Sequence, residues 1–122
     1  MGLAVGIDQA KWVASKKLVN DRDGGLCVVC GKEAQAVHHR QVRGQGGSSD
    51  PDRNYGLANL ISLCAFHHAE VHASPESAYE NGLLVHSWDN PVDCPIVLAN
   101  DTILIYLTAD GNVTKFRQQS LF

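Results

Sequence analysis

Four side chains in two matched pairs carry the first chemical signal. Cys27 and Cys30 are separated by two residues, and so are Cys64 and His67. Zinc takes four soft or borderline donors in a tetrahedron, and two knuckles of this spacing supply them. A single C-x2-C pair leaves two buried, unliganded thiols as an open alternative; the second pair makes a structural zinc the favoured reading. A redox role is disfavoured, because a redox C-x2-C opens a helix inside a βαβ unit. Cys94 has no such neighbour and is read as a small apolar filler.

Five of the six histidines fall in two clusters, His38-His39 between the knuckles and His67, His68 and His72 at and after the second. On a helix, His68 and His72 share a face at i and i+4. His67 points about 100° away from His68. One short helix can therefore serve two metals, with His67 on the zinc and His68 and His72 on a second ion. On a regular strand, His38 and His39 point to opposite sides, so one can ligate while its neighbour does other work. A site of His38, His68 and His72 keeps an open coordination position for water or phosphate, which favours catalysis. The competing reading is a second structural zinc completed by a fourth ligand. His86 stands apart and is read as structural.

These groups need elements to hold them. Asp8 is placed to cap a helix running to about Asn20, with Lys11, Lys16 and Lys17 outward and Trp12, Val13 and Val19 inward. Asp23-Gly24-Gly25 stops it. Residues 26–32 read as a strand ending in the first knuckle, and residues 36–40 as a second short strand. Residues 43–55, rich in Gly, Ser, Asp and Arg, read as a loop of functional length. Residues 57–64 return to the core, and a helix is expected over 65–73, restarting at Ser74-Pro75-Glu76 and ending at Asn81-Gly82. Residues 83–88 read as a strand, and Pro91 and Pro95 bracket an irregular turn. Residues 102–108 and 113–116 flank Asp110-Gly111, a hairpin signal. The expected class is α+β, with an N-terminal helix and a C-terminal β-hairpin. No internal repeat or low-complexity tract interrupts it.

The whole chain bounds the possibilities. Its 122 residues suggest one domain, 1–122, and 44% hydrophobic residues support a modest core that a bound metal would help. The formal net charge of −3 does not advertise a nucleic-acid binder, so any positive field must be local or come from metal. No secretory leader pattern and no apolar stretch of membrane-spanning length is evident. An intracellular, cytoplasmic protein is expected, and in that reducing setting metal binding is favoured over disulfides for its cysteines.

Cys27-x2-Cys30, His38-His39, Gly46-Gly47, Asn59-Leu60, Leu63-Cys64-x2-His67-His68 and His72 resemble, in order and spacing, the motif of the HNH endonucleases. The likeness covers about residues 22–73, followed by an extension over about 83–122. It implies a small ββα-metal core with a zinc knot. It places His39 where the family keeps its general base and His38 where it keeps a metal-binding Asp or His. Asn59 falls on the middle Asn, which braces the loop and helps orient the base. His68 falls on the final catalytic His, a metal ligand, and His72 on the further ligand of histidine-rich, colicin-type members. The implied cofactors are a structural zinc and a catalytic divalent ion. His38 in place of the commoner Asp points to zinc, nickel or manganese, with magnesium left open. His67 in place of a fourth Cys is a second departure.

The implied activity is hydrolysis of DNA phosphodiesters, with Arg40, Arg43 and Arg53 expected to grip flanking phosphates or to be solvated loop charges. The small size and the tail after the motif are similar to phage-encoded HNH proteins, which would be active in the host cytoplasm. The competing expectations are a catalytically inactive zinc-stabilised DNA-binding or adaptor module, and a structural metalloprotein docked on a terminase-like packaging complex.

Overall fold

The computed structural model describes residues 8–42, 50–98 and 102–117. Its first element, α1 (Gln9–Asp23), starts where the Asp8 carboxylate accepts the Lys11 N–H and ends where the Gly24 N–H bonds the Asn20 carbonyl. The helix therefore runs one turn past its expected end at Asn20. Ser15 and Val19 form its buried stripe. Val13, expected to face inward, is 58% exposed, since it lies outside the stripe that meets the rest of the fold.

The first cysteine knuckle follows, and it is not a strand. One bridge, Leu26 to Glu33, is all the ladder that forms. Between these residues the chain turns, with the Gly31 N–H on the Cys27 carbonyl and the Cys27 N–H on the Lys32 carbonyl. Gly31 adopts φ +75°, a conformation that suits glycine. The apolar run that suggested a strand is spent on wrapping two thiols around one point.

β1 (Ala36–His39) pairs antiparallel with β2 (Leu60–Leu63), with His38 opposite Ile61 and His39 opposite Leu60. Between them lie a short helix, α2 (Pro51–Tyr55), capped by Asp50, and a tight 3-10 turn at Leu57–Asn59. Residues 51–55 were expected as loop; an Asp-Pro start supplies a cap and a pre-set first helical residue. Residues 43–49, the rest of that expected loop, lie outside the described residues. β2 leads directly into α3 (Ala65–Ala73), and after Ser74 the chain restarts as α4 (Pro75–Glu80). β1, β2 and α3 pack together as a ββα unit, with α1 across β2 and α4 against α3.

A second sheet completes the α+β fold. β3 (Ile96–Leu98), β4 (Ile103–Leu107) and β5 (Val113–Arg117) are antiparallel in that order. The expected hairpin around Asp110-Gly111 forms. β3 was not foreseen, because Pro91 and Pro95 mark a turn but say nothing of three apolar residues beyond it. Conversely, residues 83–88 are not a strand. Leu83, Leu84 and Val85 are buried as irregular chain, and the Asp89 N–H closes a turn on the His86 carbonyl. An apolar run buried on every side does not distinguish strand from coil. Gly82, at φ +76°, sits where an added Cβ would lie 1.9 Å from the Pro95 carbonyl oxygen, so this close crossing requires glycine. Ile61 and Leu63 of the first sheet share one buried cluster with Ile96, Ile105 and Leu107 of the second. No helix among the described residues is long and apolar enough to cross a membrane.

Candidate metal centres

Cys27, Cys30, Cys64 and His67 converge, with one donor atom from each lying within 4.8 Å of the others. Cys30 Sγ is 3.8 Å from Cys64 Sγ, and His67 Nδ1 is 3.3 Å from Cys64 Sγ and 3.7 Å from Cys27 Sγ. A tetrahedron with Zn–S bonds of about 2.3 Å has S–S edges of roughly 3.8 Å. The donor set therefore fits a structural zinc in both chemistry and spacing. Cys64 is also the N-cap of α3: its sulfur accepts the His67 N–H at 3.4 Å, and that bond draws the thiol down to about 6. A thiolate is the form a metal needs. Local helix capping and metal ligation thus come from the same atom.

A second group, His38, His68 and His72, also places its donor atoms within 4.8 Å of one another. His68 Nε2 and His72 Nε2 are 3.4 Å apart on one face of α3. The His38 ring centre lies 5.4 Å from that of His68 and 6.2 Å from that of His72. His38 is buried, and its Nε2 donates to the Leu83 carbonyl at 2.9 Å, so Nδ1 carries the lone pair. This arrangement, one ring nitrogen fixed by a carbonyl and the other available as donor, is the usual support of a metal-bound imidazole. Burial pulls His38 down to about 4, with the neighbouring His68 and His72 acting in the same direction and the Leu83 carbonyl opposing. His68 is lowered too, by burial and then by His72. Neutral rings are ligand-competent rings. The three imidazoles fit a borderline divalent ion better than magnesium.

His39 points to the other side of β1, as the alternation of a strand requires. Its imidazole stacks on the Trp12 indole, with ring centres 5.1 Å apart and planes 14° apart. Its Nε2 donates to the Asn54 carbonyl at 3.0 Å, which assigns the basic lone pair to Nδ1. Asn59 is buried and ties this corner together. Its side-chain oxygen accepts the Gln41 N–H at 2.6 Å, and its amide donates to the carbonyls of Gln41 and Arg53 at 3.3 and 2.8 Å. Arg53 immediately precedes the residue that holds His39.

The arginines depart from expectation. Arg40 does not grip phosphate. It is 0% exposed, and its guanidinium donates to the carbonyls of Gly82, Ala58, Pro91 and Cys94 at 2.8, 2.9, 3.1 and 2.5 Å. Burial draws it down to about 10. Its place in β1's continuation, beside the histidines in sequence, turns it into the core rather than outward. Arg53 is half-buried, reaching the Ser87 carbonyl at 3.4 Å, and it lines a cleft of about 470 Å³ beside Asn59 that also holds Asp50, Asp52 and Asp89. Arg43 lies outside the described residues, as do Gly46 and Gly47. His86 stacks between Tyr79 and Trp88, with ring centres 4.0 and 4.5 Å away. Cys94 is half-buried and unpaired with any other cysteine.

Sequence reasoning missed Trp12 against His39, the Leu83 carbonyl on His38 and the Gln41 backbone on Asn59. Trp12 was legible as inward-facing, but helical period does not say what lies across the interface. The other two partners are backbone groups, which carry no residue-type signal. No protein-family model matches the chain, and no curated protein and no solved structure matches it.

Proposed function

We propose that this protein is a metal-dependent HNH endonuclease that hydrolyses DNA phosphodiester bonds, with His39 as general base and His38, His68 and His72 as ligands of the working metal. The observation that carries the reading is the split between neighbours on β1. His38 faces α3 and completes a three-histidine cluster, while His39 faces α1 with its Nε2 tied to a carbonyl.

A phosphodiester resists attack because it is anionic and its alkoxide leaves poorly. His38, His68 and His72 would hold a divalent ion, which would supply charge neutralisation at the scissile phosphate and the leaving oxygen. The His39 imidazole, oriented by its bond to the Asn54 carbonyl, accepts a proton from the attacking water. Asn59 positions the Arg53–Asn54 segment that keeps His39 in that orientation. The Cys27, Cys30, Cys64 and His67 knot anchors the start of α3 and so presents His68 and His72. Relaxation of supercoiled plasmid by purified protein, tested across magnesium, manganese, nickel, cobalt and zinc, is the direct test. The expected result is nicking or linearisation that needs one of these ions.

A second reading rests on other observations. Trp88 is 77% exposed, Phe116 stands out from the second sheet, and the net charge is −3. These suit a catalytically inactive zinc-stabilised adaptor on a phage DNA-packaging complex, with terminase-like proteins as partners. Absence of cleavage with every ion favours it.

A further inference from the structure

Arg40 is buried, and Arg53 is half-buried in a cleft that also holds Asp50, Asp52 and Asp89, so neither stands as an exposed cation beside His39. Arg22 is also spent, on Asp23 and on the carbonyls of Leu57 and Leu60. A different basic surface borders His39. We propose that α1 is the DNA-phosphate-binding element of the site, with Lys11 and Lys16 as its contacts on either side of the Trp12–His39 stack.

The geometry starts from the helix. At about 100° per residue, Ser15, Val19 and Trp12 lie within one inward sector of α1, and Lys11 and Lys16 fall on its two opposite borders. Border lysines lay their apolar stems over neighbouring rings and hold the ammonium in water. Here the ammonium itself lies over a ring in both cases: Lys16 Nζ is 5.4 Å from the Trp12 ring centre, and Lys11 Nζ is 5.8 Å from that of Tyr55. Trp12 stacks on His39, and Tyr55 follows the residue whose carbonyl holds His39. Each ammonium is thus one ring away from the proposed base or from its support.

Neither ammonium is in an ion pair among the described residues. The ion pairs there are Lys17 with Asp21 and Arg22 with Asp23, and neither involves Lys11 or Lys16. Lys17, next to Lys16 in sequence, is turned toward Asp21 instead, which makes the distinction between adjacent lysines specific. Lys11 and Lys16 thus offer two separate cationic points, one on each border of the α1 stripe that packs toward His39. The local field resolves the conflict between a net charge of −3 and a polyanionic substrate.

This inference takes DNA as substrate from the proposed function but concerns binding, and its test reads binding directly. Fluorescence anisotropy with a labelled DNA duplex, over a range of salt, would be measured for the full chain and for Lys11→Ala/Lys16→Ala, with Lys115→Ala on β5 as a comparison at a distant exposed lysine. Both lysines are exposed, and circular dichroism would verify the fold. The double variant is expected to bind more weakly, with the slope of log K against log salt reduced by about 2, one for each lost phosphate contact. Lys115→Ala is expected to keep the parent slope. An unchanged slope in the double variant, or an equal loss in Lys115→Ala, overturns the inference while leaving the endonuclease reading intact. A parent protein that binds duplex DNA through these lysines but cleaves it with no metal overturns the endonuclease reading and keeps this one. No binding by the parent overturns both.

Discussion

His38 Nε2 lies 2.9 Å from the Leu83 carbonyl oxygen, a contact that spans 45 residues of chain. It leaves the other nitrogen of a buried ring as the lone-pair donor beside His68 and His72, and it comes from irregular chain beyond α4. His38→Ala removes one of three imidazoles and leaves the knot untouched. The expected outcome is a loss of at least about 10–100-fold in affinity at the three-histidine site, the size of effect seen when even a supporting group is lost. Calorimetric titration with nickel or manganese would read it. Zinc retained at one ion per chain would show that the knot is separate.

His39→Ala is expected to behave differently. Both metal clusters lie on the other side of β1 or at the knuckles, so metal content should not change. Turnover of plasmid should fall by about 10²–10⁴-fold, the usual worth of a positioned general base. Elemental analysis and a nicking time course on one preparation check both halves. Cleavage at the parent rate would take the base role away from His39.

Stability should fail first at the knot. Cys27→Ala leaves three donors and exposes the start of α3, whose cap is the Cys64 sulfur. A structural metal's binding energy is folding energy. Far-ultraviolet circular dichroism is expected to show loss of helix in Cys27→Ala, and in the parent after prolonged chelation. A chelated, zinc-free protein with an unchanged spectrum would remove the knot from the folding argument.

Arg40 offers a test of structure alone. Arg40→Met keeps the apolar stem but strands the carbonyls of Gly82, Ala58 and Cys94 and leaves Pro91 only the Cys94 N–H. A buried acceptor without a partner costs about 1–3 kcal/mol, so the loss should reach at least about 3 kcal/mol. Arg40→Lys should recover little, since an ammonium cannot reproduce the planar fork. Urea denaturation of the zinc-loaded proteins would measure both. Near-parent stability in either variant would mean that water replaces the clamp.

How far these features are legible in the sequence depends on what kind of partner each residue has. Both ligand clusters follow from side-chain type and spacing: Cys64 and His67 at a helix start, and His68 and His72 one turn apart, must lie where they do once residues 65–73 are helical. The opposition of His38 and His39 follows from strand alternation in the same way. Arg40 is where that logic fails. Its neighbours in sequence are histidines of the site, yet its partners are four carbonyls, and a carbonyl looks the same at every position. The strands expected at 26–32 and 83–88 failed for a related reason. Apolar runs report burial, and at Cys27 and Leu83 burial comes with turns.

The dependence of His38 on Leu83 also sets an order of assembly. α3 has nine residues, too few to persist as an isolated helix in water, so His68 and His72 are held facing one another only where α3 packs on β1, β2 and α4. His38 gains its tether later still, once the chain has been made past Leu83 and has folded back across Gly82. During synthesis all the ligands therefore emerge before the arrangement that orients them exists. A nascent or truncated chain ending near residue 80 would carry every histidine of the three-histidine group and still lack the site.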